Sequence, residues 1–113
     1  MEIAFREIDL SEHSWDGESW ENAGANARGD VDLSQFSGQK IESREMAENI
    51  AITILEQQQT QGFLDDFVLL SIEHDPIQNI WIFAYGEHPP IPGMPFYAAV
   101  DGYTSQLLRM WVY

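Results

Sequence analysis

Ser43-Arg44-Glu45-Met46-Ala47-Glu48-Asn49-Ile50-Ala51-Ile52-Thr53-Ile54-Leu55 decides how the rest of the chain is read. Met46, Ile50 and Ile54 recur every four residues, and Ala47, Ala51 and Leu55 make the adjacent row, so one apolar stripe of a helix faces a core. Ser43 suits the N-cap, because its hydroxyl can take an amide that the first turn leaves without a partner, and Arg44-Glu45 open that turn. Gly62 is placed to end the helix, which is expected over 43–61. The run Gln57-Gln58-Gln59-Thr60-Gln61 just before it reads as a solvated helix end.

Beyond Gly62 the pattern changes to strands. Phe67-Val68-Leu69-Leu70-Ser71-Ile72 is a β-rich run closed by the turn signal His74-Asp75-Pro76, and Ile80-Trp81-Ile82-Phe83-Ala84-Tyr85 follows at hairpin spacing. Gly86 and His88-Pro89-Pro90-Ile91-Pro92-Gly93-Met94-Pro95 are expected to form a rigid loop, since proline cannot donate to a ladder. Phe96-Tyr97-Ala98-Ala99-Val100-Asp101 is a third strand, Gly102-Tyr103-Thr104-Ser105 a turn, and Gln106 to Tyr113 a fourth strand. These runs are too apolar for a sheet with one bare face, so the amino-terminal segment or a partner must cover part of it.

Working back from the helix, residues 1–10 place Ile3 and Phe5 in strand-like alternation, continued by Ile8 and Leu10. Residues 11–42 are rich in Ser, Gly, Asn, Asp and Glu and read as a long acidic loop with a short helical turn at most. Within 11–39 only Trp15, Trp20, Val31, Leu33 and Phe36 have apolar bulk to bury, and a loop of this length inside a domain is usually functional or mobile. The expected fold is α+β: one amphipathic helix packed on an antiparallel four- to five-stranded meander, with a long acidic N-terminal loop. At 113 residues this is a single domain over 1–113.

Nineteen Asp and Glu stand against five Lys and Arg, a formal charge of −14. Such a field repels phosphate, so neither nucleic acid nor an anionic membrane is an expected partner, whereas a basic protein would be steered towards it. Solubility is the other reading of this acidity, and the sequence leaves the two open. Cysteine is absent, which removes disulfides, thiol nucleophiles and thiolate metal sites. The start Met1-Glu2-Ile3-Ala4-Phe5-Arg6 lacks the pattern of a secretory signal, and no apolar run approaches the roughly 20 residues of a membrane span, so cytoplasmic residence is expected.

Chemistry-bearing motifs are sparse. His13, His74 and His88 fall in expected loops, none at metal-ligand spacing from another, so no metal is expected. Neither a glycine-framed serine elbow nor a phosphate-cradling glycine loop occurs, and no cofactor is expected. Arg28-Gly29-Asp30 reads as a turn. Acid pairs such as Asp65-Asp66 arise by chance in a chain with 19 acids; they leave a carboxylate hydrolase as the residual enzymatic alternative to a non-enzyme.

Residues 43–113 run from helix to tryptophan strand Ile80-Trp81-Ile82-Phe83-Ala84-Tyr85, proline-rich loop, Phe96-Tyr97-Ala98-Ala99-Val100-Asp101, turn, and strand from Gln106. This order resembles the PepSY-like and cystatin-like rolls and several families of small bacterial immunity proteins. It departs from their usual pattern at Asp101-Gly102-Tyr103-Thr104, where Asp-x-x-Thr-Gly is commoner, and in the acidic amino-terminal region. The resemblance implies inhibition of a cognate toxin, often a nuclease, by covering its active site or an adjoining surface.

The charge points independently to a basic partner. Trp15, Asp16, Glu18, Trp20, Glu21, Asp30 and Asp32 on the long loop, with Glu87, His88 and Tyr97 at one end of the sheet, are the candidate partner-binding residues. Aromatic anchors ringed by charge are a common interface composition, although Trp15 and Trp20 could equally cover the core. The first 32 residues hold nine acids and two arginines, half of the total net charge. The alternative from another class is a structural or assembly domain that pairs with itself through its aromatic strands, with no toxin partner.

Overall fold

The computed structural model describes residues 3–9, 31–87 and 96–112. One helix packs on a five-stranded, mostly antiparallel sheet, the α+β arrangement expected from the sequence. The elements are β1 (Ala4–Glu7), α1 (Arg44–Thr60), β2 (Phe67–Asp75), β3 (Ile80–Glu87), β4 (Phe96–Asp101) and β5 (Leu107–Val112). Spatial order follows chain order, β1-β2-β3-β4-β5.

Helix α1 forms for the reasons read from its stripe. The Ser43 hydroxyl accepts the Met46 amide at 3.1 Å, and Gly62, at φ +91°, ends the helix in the left-handed region that glycine adopts without strain. Ala47, Ile50, Ala51, Ile54 and Leu55 are buried against the sheet. The glutamine run departs from the expected solvated end. Gln58 is fully buried, because spacings of four, three and four residues from Ala47 through Ala51 and Ile54 carry position 58 onto the same inner face. Gln59 donates to the carbonyls of Leu64 and Phe67, tying the helix end to the start of β2.

The 17 residues of α1 span about 25 Å and return the chain to the end where β1 began, so β2 lies beside β1 in parallel, with Phe5 opposite Ile72. The remaining three pairings are antiparallel hairpin connections. Phe5, Ile72, Phe83, Ala98 and Met110 form one register row on the helix side, and Arg6, Glu73, Ile82, Ala99 and Arg109 form the next row on the opposite face. The main core joins the helix stripe to Leu69, Ile72, Trp81, Phe83, Tyr85, Phe96, Val100 and Met110, with Leu33 and Ile41 from the segment before α1. On the opposite face Ile80, Ile82 and Ala99 are buried beneath Ile8, Tyr97 and Leu108, so the amino-terminal segment does cover part of the second face.

Two strands run longer than the apolar runs suggested. β2 continues through His74 and Asp75, and β3 includes Gly86, which the sequence placed in the loop. A Cβ at Gly86 would stand 2.5 Å from Cδ1 of Leu70, the extra residue of a bulge between Leu69 and Ser71, so glycine leaves the room that Leu70 occupies.

The end of the sheet below the N-terminus of α1 is knitted by backbone. Gly102 donates to the Asn79 carbonyl at 2.7 Å, Ile41 donates to Gly102 at 2.8 Å and Gly38 to Thr104 at 2.9 Å, while the Ser105 hydroxyl donates to Gln39 at 2.6 Å. These bonds hold the segment before the helix against both lower turns. Asp75 accepts the amides of Ile77 and Gln78 and shapes the β2–β3 turn, and Asn79 closes it at φ +55°.

Tyr85 ties the layers together, its buried hydroxyl donating to the Ala51 carbonyl at 2.7 Å. Burial pushes that phenol well above its ordinary value of 10.0. A raised folded value means that the stabilisation is intact below pH 10.0 and is lost as pH rises through the folded value. Tyr85→Phe is expected to cost about 1–2 kcal/mol at neutral pH, because the Ala51 carbonyl loses its donor. It should also flatten the alkaline limb of the stability curve, as read by urea titrations between neutral pH and pH 11.

Candidate partner-binding surfaces

Three of the candidate residues fall within the described part of the chain, and the fold does not bring them together. Asp32 lies beside the outer flank of α1, and Glu87 ends β3 opposite Phe67. Tyr97 packs on the face of the sheet that points away from the helix. Asp32 and Tyr97 thus lie on opposite sides of the sheet. Trp15, Asp16, Glu18, Trp20, Glu21, Asp30 and His88 lie outside the described residues.

Asp32 is held by a clasp that composition could not reveal. Its amide donates to Gln57 Oε1 at 2.6 Å and its carbonyl accepts from Gln57 Nε2 at 2.7 Å, so the glutamine side chain imitates a neighbouring strand. The Asp32 carboxylate accepts the Ser34 amide at 2.9 Å, and its hydrogen bonds to Ser34 hold its carboxyl below the ordinary carboxylate range. Beside the clasp runs an open groove of about 650 Å³ lined by Val31, Asp32, Gln35, Thr53, Glu56 and Gln57. The exposed groups here are acids and amides, which accept hydrogen bonds from a cationic side chain.

Of the acids of α1, Glu56 lines that groove. Glu45, Glu48, Ile52 and Glu56 follow one another at spacings of three or four residues and so lie along one flank, with Glu45, Ile52 and Glu56 exposed. Among the described residues, Glu45, Glu48 and Glu56 form no ion pair, and the last turn of the helix carries no basic residue. Glu56 stands towards the negative end of the helix dipole, where an acid is mildly destabilising. Exposed Asp65 and Asp66 follow at the turn into β2.

The described cations are mostly committed elsewhere. Arg6 pairs with Glu73 on the far face of the sheet. Arg44 donates to the Ile3 carbonyl at 2.9 Å and sits 5.1 Å over the Phe5 ring, and Arg109 is also engaged. Among the described residues, therefore, no cation forms an ion pair with the acids of the helix flank.

A second groove, of about 420 Å³, lies at the knitted end between Lys40, Glu42, His74, Asn79 and Tyr103. His74 stacks on Trp81 with ring centroids 4.0 Å apart, and its Nε2 pairs with Asn79 Oδ1 at 2.8 Å. Its charges are mixed, and the histidine is tied into the turn, so the geometry selects no single ligand class. Among the described residues, no three His, Asp or Glu side chains are grouped to hold a metal ion, and no helix is long and apolar enough to cross a membrane.

Gln58 is a buried amide whose Nε2 and Oε1 both lack a partner among the described residues. Unsatisfied buried polar atoms each cost on the order of 1–3 kcal/mol. Gln58→Leu, which fills nearly the same volume, is expected to raise stability by about 1 kcal/mol, seen as a higher urea midpoint with an unchanged slope. A loss of stability instead would mean that the amide is satisfied in solution.

The fold defines an α+β helix-on-sheet domain with an acidic helix flank. Neither a protein-family model nor a curated protein nor a solved structure matches the chain.

Proposed function

We propose that this protein binds and neutralises a basic protein, in the manner of an immunity-type inhibitor, and that the outer flank of α1 with the Asp32 clasp forms part of the contact. The observation that carries the reading is the separation of charge. Arg6, Arg44 and Arg109 are engaged within the fold, while exposed Glu45 and Glu56 and half-buried Glu48 form no ion pair among the described residues. A surface of one sign raises the association rate of an oppositely charged partner and repels wrong ones.

The partner class follows from the same chemistry. An enzyme that cleaves nucleic acid needs a basic cleft for phosphates, and an acidic surface complements that cleft. A nuclease toxin is therefore the partner of choice, and the helix-then-meander order that resembles immunity proteins supports the same reading. The protein acts by occupying the basic surface and needs neither cofactor nor metal.

The test is capture from lysates of the source organism and its relatives on the immobilised protein at about 50 and 500 mM salt, bound proteins being identified by mass. One basic protein held at low salt and released at high salt, whose nuclease activity falls when this chain is added, is the expected result. Capture of no basic protein at either salt would overturn the reading.

A further inference from the structure

We propose that the outer edge of β5 is a self-association surface that takes the β5 strand of a second copy in antiparallel pairing, extending the sheet across two molecules. The two sheet edges differ in kind. β1 is four residues long, exposed throughout, and carries Arg6 and Glu7, which is how natural edges discourage further pairing. β5 is six residues long, contains neither proline nor an acid, and has a strand neighbour on one side only among the described residues. An edge of that kind presents unpaired amides and carbonyls to any strand of matching length.

Charge selects the occupant. Of the 19 acids, only Glu87 and Asp101 lie after residue 75, and residues 102–113 contain none. Among the described residues, the sheet beyond β3 is thus the acid-poor part of a molecule of charge −14, and its last strand carries the cation Arg109. A basic partner is drawn to the helix flank and gains nothing at this edge. Among the described residues, this is the edge where two copies of the same sign approach with the least acid between them.

The register allows it. The bulge between Ala99 and Val100 opposite Leu107 and Arg109 places the irregularity at the start of β5, leaving Arg109 to Val112 regular. A two-fold axis at Met110 would set Arg109 of one copy opposite position 111 of the other, so that the two arginines do not oppose each other.

Sedimentation equilibrium on the full chain tests the idea at about 50 and 500 mM salt. The expected result is a dimer whose dissociation constant falls roughly tenfold at the higher salt, because screening relieves repulsion between like-charged bodies. This is the opposite of the salt response expected for a basic partner. Arg109→Glu, folded by circular dichroism, should weaken the dimer roughly tenfold or more by placing two acids beside the axis.

Hydrogen exchange on the unaltered chain covers the case in which that variant does not fold: β5 amides should slow as protein concentration rises, and β1 amides should not. A monomer up to about 200 µM at both salts would overturn the proposal, since edge pairing of this length should be visible there. So would a dimer whose β5 amides are indifferent to concentration.

Discussion

Gly102→Ala is expected to lower the stability of the domain by about 3 kcal/mol, and its melting temperature by roughly 10 °C. A Cβ at this position would collide with the Asn79 side chain and stand 2.7 Å from the Asn79 carbonyl. Neither group can withdraw cheaply. That carbonyl accepts the Gly102 amide, the side-chain oxygen is paired with His74, and the Asn79 backbone is already at φ +55°.

The Gly102 carbonyl also accepts Ile41, so a shift here loosens the segment that leads into α1. Gly86→Ala is the natural comparison, because its Cβ meets only the end of the Leu70 side chain, which can rotate away. It should cost about 1 kcal/mol. Scanning calorimetry on both variants separates the two positions, and similar melting temperatures would show that the knitted end yields more easily than its hydrogen bonds imply.

The second large effect concerns binding. Glu45→Lys, Glu48→Lys and Glu56→Lys together reverse the sign of the helix flank, and affinity for the basic partner is expected to fall roughly 100-fold or more, mostly through a slower association rate. These positions lie off the inner stripe, so stability should change by only about 1 kcal/mol, most of it from Glu45, whose charge favours the first turn. The check is surface plasmon resonance of wild type and variant against the captured partner over a salt series. Equal association rates would mean that the contact lies elsewhere on the molecule. Arg109→Glu should leave this affinity nearly untouched, which keeps the partner surface and the β5 edge experimentally separate.

Much of the architecture was legible from local pattern. The stripe Met46, Ile50, Ile54 with Ala47, Ala51, Leu55 located α1 within a residue or two, because the helical period alone decides which positions share a face. The four strands after Gly62 were legible from β-rich runs punctuated by turn residues. Strand ends were less so. β2 reaches Asp75 because ladder pairing with Ile80 continues past the last apolar residue, and hydrogen bonding ignores hydropathy.

The surface was less legible than the core. Asp32 could be named from its charge, but its clasp by Gln57 joins residues 25 apart and has no local signature. Tyr97 was read as an end-of-sheet group, yet alternation along β4 turns it to the face opposite the helix, and the face of a strand is known only once its partners are. Glu45, Glu48 and Glu56 escaped notice among 19 acids, because what distinguishes them is the engagement of the arginines elsewhere.

By itself, then, the sequence determined the element types, the amphipathic helix, the absence of thiol chemistry and the sign of the electrostatic field, since each depends on composition or on spacing of a few residues. Tertiary structure decided that β1 joins β2 in parallel, that Gln58 is buried and Gln57 is a clasp, that Gly102 must lack a side chain, and that β5 is an edge of the sheet among the described residues. These depend on which distant segments share space, and only the closing of the chain on itself settles that.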